Sequence, residues 1–158
     1  MPRNLYMRYY LTAALIVIVD QITKVLIRAN IEVGQSISVI GDFFRITYIR
    51  NSGAAFSMLS GMRIFLILIP IIAIVICIIY LNKHRDIPCI GKLSLWMIIA
   101  GGAGNLIDRV FFGPVTDMFS FSIFPPVFNV ADIAVTIGCV LLVIYILFEE
   151  KIKEKYGK

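Results

Sequence analysis

Charge is scarce in this chain. Only 16% of its 158 residues are Asp, Glu, Lys or Arg, 59% are hydrophobic, and mean hydropathy is +0.90. A soluble domain is nearer a quarter charged and half apolar. One water-soluble core of this size cannot hide so much apolar surface, which excludes a soluble enzyme. Histidine is scarcer still: His84, between Lys83 and Arg85, stands alone. Zinc hydrolysis draws on paired histidines, and there is no HExxH run. The three cysteines, Cys77, Cys89 and Cys139, have no CxxC spacing and imply neither a disulfide framework nor a metal. Gly101, Gly102 and Gly104 follow no strand, and Ile107 stands where a dinucleotide fingerprint needs glycine. Close packing of membrane helices is the better use for them. No cofactor or metal is expected.

What the chain has is long apolar runs. Ile64 to Leu81 and Ile133 to Phe148 contain no charged side chain, and Leu93 to Ile107 resembles them. About 20 mostly apolar residues cross a bilayer as a helix. Four spans are predicted, over about residues 9–27, 62–81, 93–109 and 128–148, all in a single domain. The first could be read as a secretory signal peptide, but its apolar stretch continues past Asp20 to Leu26 and Ile27 with no small-x-small site closing it.

Basic residues collect on the cytoplasmic side of membrane proteins. Arg3, Arg8, Lys83, Arg85, Lys92, Lys151, Lys153, Lys155 and Lys158 fall on one side, and Arg28, Arg45, Arg50, Arg63 and Arg109 on the other. Nine against five puts both termini in the cytoplasm. The net charge of +5 then faces lipid headgroups and calls for no nucleic acid. His84 lies on the cytoplasmic loop, so a Ser-His or Cys-His nucleophile on the outer side is excluded. Two loops face outward, 28–61 and 110–127. In the first, residues 36–51 alternate in strand fashion, with Phe44, Ile46 and Tyr48 on one side and a turn at Gly41-Asp42, which predicts a small extracytoplasmic hairpin. The second is broken by Gly113-Pro114 and Pro125-Pro126.

Ionisable residues inside spans are costly and tend to mark function. Asp20 and Lys24, Asp108 and Arg109, and Asp132 all lie toward the outer ends of their spans, at the level of Asn51, Asn105, Asp117 and Asn129. The cytoplasmic halves read as almost purely aliphatic. Asp20 and Lys24 are four apart with the acid first, a favourable pair that reads as structural, holding the first span in the bundle. Asp108 and Arg109 read as interfacial anchors, with Arg109 also able to balance nearby carboxylates. Asp117 and Asp132 have no basic partner close in sequence. Two carboxyls brought together in a partly dry site share a proton and offer a base and an acid at once. Spacing alone leaves that reading open beside a second, in which both are interfacial capping residues.

Asp20-Gln21-Ile22-Thr23-Lys24, Asn51-Ser52-Gly53-Ala54-Ala55-Phe56, Gly104-Asn105-Leu106-Ile107-Asp108-Arg109, Val115-Thr116-Asp117 and Phe128-Asn129-Val130-Ala131-Asp132, taken in order, resemble the motifs of bacterial lipoprotein signal peptidase, or signal peptidase II. The match runs over essentially the whole chain. It implies an intramembrane aspartic endopeptidase with Asp117 and Asp132 as the catalytic pair. Asn51, Gly53, Asn105, Arg109 and Asn129 would line or support the site, and Asp20 and Lys24 would be the polar pair of the first helix. It also implies an outer-face sheet and a short helix, expected at Ala54 to Ser60. Met118 stands where a Phe is expected and Ile133 where a small polar residue often follows, which bears on fine substrate preference.

The resemblance therefore implies an all-α membrane protein of four transmembrane helices with a small extracytoplasmic sheet. It would be a multi-pass protein of the bacterial cytoplasmic membrane with its active site toward the outer face. Its partners would be membrane lipid and diacylglyceryl-modified prolipoproteins, cut just before the lipidated cysteine, and a monomer is expected. Two other classes compete: a small proton-coupled transporter, which would want polar residues near the midplane from both sides, and a non-catalytic scaffold, which leaves the Asn and Asp cluster at one depth unexplained.

Overall fold

The apolar runs form helices because a segment in lipid must satisfy its backbone hydrogen bonds internally. The structure, a computed structural model, describes residues 3–53 and 62–156. Its elements in chain order are α1 (Arg3–Asn30), β1 (Ser36–Ile40), β2 (Phe44–Asn51), α2 (Arg63–Lys83), α3 (Cys89–Phe111), β3 (Val115–Phe121), β4 (Phe124–Phe128) and α4 (Val130–Tyr156). Four stretches are long and apolar enough to cross a membrane: Met7–Asn30, Arg63–Lys83, Cys89–Phe111 and Val130–Phe148. The short helix expected at Ala54 to Ser60 lies outside the described residues.

The helix ends differ from the expected spans where a local signal was misread. α1 runs on to Asn30, so residues 28–30 belong to the helix. α4 begins at Val130, because Phe128 ends a strand and Asn129 caps the helix. α3 starts at Cys89, which draws Lys92 into the bundle at 1% exposure rather than leaving it on a solvated flank. Ser94 and Tyr145 are buried in the same half of the molecule, so that half is not purely aliphatic.

α3 is the central helix: half of its crossing window is buried, against 17–22% in the other three. Its glycines allow this. A Cβ on Gly101 would collide with the Ala131 carbonyl oxygen of α4, and α4 returns the approach at Gly138, where a Cβ would come within 2.9 Å of the Ser94 carbonyl oxygen. Small residues let helices meet closely where lipid leaves no hydrophobic drive between them. The outward faces are oily by the same logic, with Leu11, Leu15, Ile18 and Ile22 exposed along one side of α1.

The segments that follow α1 and α3 both contribute to one antiparallel sheet of order β1-β2-β3-β4. The first hairpin is the expected one, turning at Gly41 with φ +48. The second, β3-β4, was unexpected because Pro125-Pro126 read as a break; β4 is an edge strand, where proline is tolerated. Met118 is buried with Ile27 and Tyr48, tying the sheet to the end of α1. This explains the Met at that position as core, while Ile133 is partly exposed on α4.

Candidate active site

α3 ends on a tight turn: the Phe112 and Gly113 amides both donate to the Asp108 carbonyl oxygen, and Gly113 adopts φ +87. That left-handed residue suits glycine at a helix C-terminus. The chain then enters β3 directly, which sets Asp117 against the ends of α1 and α3 at 2% exposure. Its Oδ2 accepts from Asn51 Nδ2 at 3.0 Å and its Oδ1 from Asn129 Nδ2 at 2.6 Å. Asn51 is held in turn by the Gly53 amide, which donates to Asn51 Oδ1. Burial, and then the Asp132 carboxyl, push Asp117 up to about 7, against the pull of its two amide donors and of Lys24.

Asp132 sits in the first turn of α4. The Asp132 amide donates to Asn129 Oδ1 at 2.9 Å, and the Asn129 amide donates back to Asp132 Oδ2 at 3.1 Å. This reciprocal bond is a capping box, with Asn129 as N-cap and Asp132 three residues on. The other oxygen, Oδ1, accepts from Asn105 Nδ2 at 2.7 Å. The capping reading of Asp132 and its place beside Asp117 are therefore compatible, and Asn129 touches both carboxyls.

Beneath these lies a buried charge cluster. Lys24 Nζ is 2.9 Å from Asp20 Oδ2, 3.4 Å from Asp108 Oδ2 and 3.0 Å from Asn105 Oδ1. Asp20 Oδ1 also accepts from the Ala131 amide, so it serves the N-terminus of α4 from another helix, where a carboxylate is favoured. Gly104 makes room for it: a Cβ there would be 2.7 Å from Asp20 Oδ2. Asp108 is fully buried, which corrects its reading as an interfacial anchor. It accepts from the Thr116 amide and pairs with Arg28 at 3.5 Å, fixing the residue next to Asp117. Arg109 Nη2 donates to the Gly53 carbonyl oxygen at 3.4 Å, and Arg63 donates to the Arg109 carbonyl oxygen.

The ten residues singled out in the sequence, Asp108 and Gly53 among them, thus meet at one end of the bundle. Arg28, Thr116 and Arg63 were missed; Arg28 read only as a loop charge, and nothing local in the sequence marks its contact with Asp108. Among the described residues no three of His, Cys, Asp and Glu gather as a metal-holding group. The arrangement can hold two carboxyls with every oxygen facing an N–H donor, in a site sealed from below by ion pairs.

Known proteins match the chain over most of its length. A family model described as signal peptidase (SPase) II matches residues 12–148. The chain is 41% identical over 143 residues to a lipoprotein signal peptidase of Halothermothrix orenii, covering 90% of this chain and 97% of that one. It is 41% identical over 152 residues to a lipoprotein signal peptidase of Desulfitobacterium hafniense, covering 94% and 99%. A solved bacterial membrane enzyme matches with a TM-score of 0.84 at 36% identity, over 96% of this chain and 93% of that one.

Proposed function

Because the chain belongs to the signal peptidase II family, a family of aspartic-type peptidases, we propose that Asp117 and Asp132 activate water to cut the signal peptide from lipoprotein precursors. The observation that carries this reading is Asn129, whose side chain donates to Asp117 and whose backbone N–H donates to Asp132. The pair then behaves as one titrating unit. Asp132, at a helix N-terminus with two N–H donors, is the ionised member; Asp117, which titrates near neutral pH, holds the shared proton.

The chemistry follows from those roles. Asp132 takes a proton from water as its oxygen attacks the scissile carbonyl carbon, and Asp117 gives its proton to the carbonyl oxygen. When the gem-diol collapses, Asp132 passes its proton to the departing amine, the C–N bond breaks, and Asp117 recovers a proton from the diol hydroxyl. The cut falls just before the diacylglyceryl cysteine. A signal peptide is itself an apolar helix and an acyl chain stays in lipid, so a site at the membrane boundary receives both. The sheet-bearing end faces outward and both termini face the cytoplasm. A monomer is the proposed working unit.

Purified protein in detergent with a lipidated precursor peptide tests this. The unmutated protein is expected to cleave it, and Asp117→Asn or Asp132→Asn to lose activity by at least ~100-fold, since an amide neither takes nor gives the proton. Full activity in either variant refutes the dyad.

A further inference from the structure

Lys24 is an ammonium with no exposure, and charge neutrality does not account for its position. Asp20, one turn before it at 2.9 Å, already neutralises it. Its next nearest contact is an uncharged oxygen, Asn105 Oδ1 at 3.0 Å, closer than the second carboxylate, Asp108, at 3.4 Å. An ammonium can only donate, so it selects the oxygen end of the Asn105 amide. The amide's NH2 is thereby turned to Asp132 Oδ1 at 2.7 Å. A second donor-only group works from the other side: the Asp132 backbone N–H selects the oxygen of Asn129, which turns that NH2 toward Asp117 and toward Asn105 Oδ1 at 3.1 Å. The polarity of both amides is therefore set by two groups that cannot accept.

We propose that Lys24 is a positioning residue for the proposed dyad, orienting the Asn105 amide so that Asp132 faces a donor on each oxygen and is kept ionised as the base. This rests on the dyad reading above and adds to it the group that decides which way the relay points. The charged groups around Lys24 are Asp20 and Arg28 on α1, Asp108 and Arg109 on α3, Asp117 on β3 and Asp132 on α4. Asp20 and Asp108 face it directly, Arg28 reaches it only through Asp108, and Arg109 acts on the dyad from the Gly53 side. Without the Lys24 ammonium, Asn105 Oδ1 keeps only the weaker donor Asn129 Nδ2 at 3.1 Å, and the amide more readily turns its oxygen on Asp132, which works against ionisation.

The test uses the full chain and the lipidated peptide. Lys24→Met combined with Asp20→Asn removes one charge of each sign and leaves the Arg28–Asp108 pair. It is expected to lower kcat about tenfold or more, with KM little changed, and to move the acid limb of the kcat profile up by about one pH unit. Lys24→Arg, also donor-only, is expected to bring the acid limb back toward that of the unmutated protein. A folded double variant whose melting temperature falls while its pH profile stays put would show a purely structural lysine and overturn the proposal, with the dyad itself untouched. If neither variant folds, the ¹⁵Nζ resonance of Lys24 in the unmutated protein decides. An ammonium signal across the active pH range supports the relay, and a neutral amine removes its donor-only end and overturns it.

Discussion

Asp117 is a carboxyl that folding has made a weaker acid. Burial and the neighbouring Asp132 raise it to about 7 from an ordinary 3.8. Between those values the folded chain holds a proton that the unfolded chain releases, so this residue's contribution to stability is full below about pH 4 and is lost as pH rises through about 7. The loss is at most about 1.4 kcal/mol per pH unit, the work of one proton. Thermal melts in detergent at pH 4, 5.5 and 7 are expected to show a steeper decline for the unmutated protein than for Asp117→Asn. Parallel curves would mean that Asp117 is an ordinary carboxylate. The difference between the two proteins reads Asp117 together with its coupling to Asp132. The Asn and Asp residues of the motifs around the dyad were legible as types that resist burial. Their bonds were not, because which amide faces which oxygen depends on four separate elements.

Helix contact is decided by the glycines of α3, and the three neighbours in its sequence are not alike. Gly101 and Gly104 face α4 and Asp20, where a Cβ has no room, whereas Gly102 would meet only Ile74 at 3.4 Å. Gly101→Ala and Gly104→Ala are expected to destabilise the bundle by roughly 1–3 kcal/mol through overpacking, and Gly102→Ala to change little. Melting temperatures of the three variants check this; equal effects would mean that helix propensity, not contact, governs. Gly104→Ala is also expected to disturb the Asp20 bond to the Ala131 amide and so reduce activity. The glycines were legible as packing residues, but their faces follow only from how α3 sits between its neighbours. The hairpin at Gly41 was legible from strand alternation. The β3-β4 hairpin was hidden by a proline pair that an edge position tolerates.

At the scale of the whole molecule the polar site and the sheet lie at one end of a lipid-faced bundle, and the proposed orientation puts Cys89 at the other. Cys89 is exposed at the start of α3, Cys77 is buried, and Cys139 faces outward within a span. A membrane-impermeant maleimide is expected to label Cys89 in inside-out vesicles and not in intact cells. Labelling from outside would invert the proposed topology. Lys92, beyond Cys89, shows the limit of counting charges: it supports the orientation as a basic residue, yet it is buried inside the bundle.

The sequence by itself determined that the chain belongs in a membrane, its four candidate spans and which polar residues resist lipid, because hydropathy and residue type are local properties. Only the tertiary structure decided that Asp20 serves the N-terminus of α4, that Asp108 is buried rather than interfacial, and that Asn129 joins Asp117 to Asp132. Those facts depend on contacts between residues far apart in sequence. The scarce charge is what links the two: with so few ionisable groups in an apolar chain, each buried one needs a partner, and satisfying them together gathers the site.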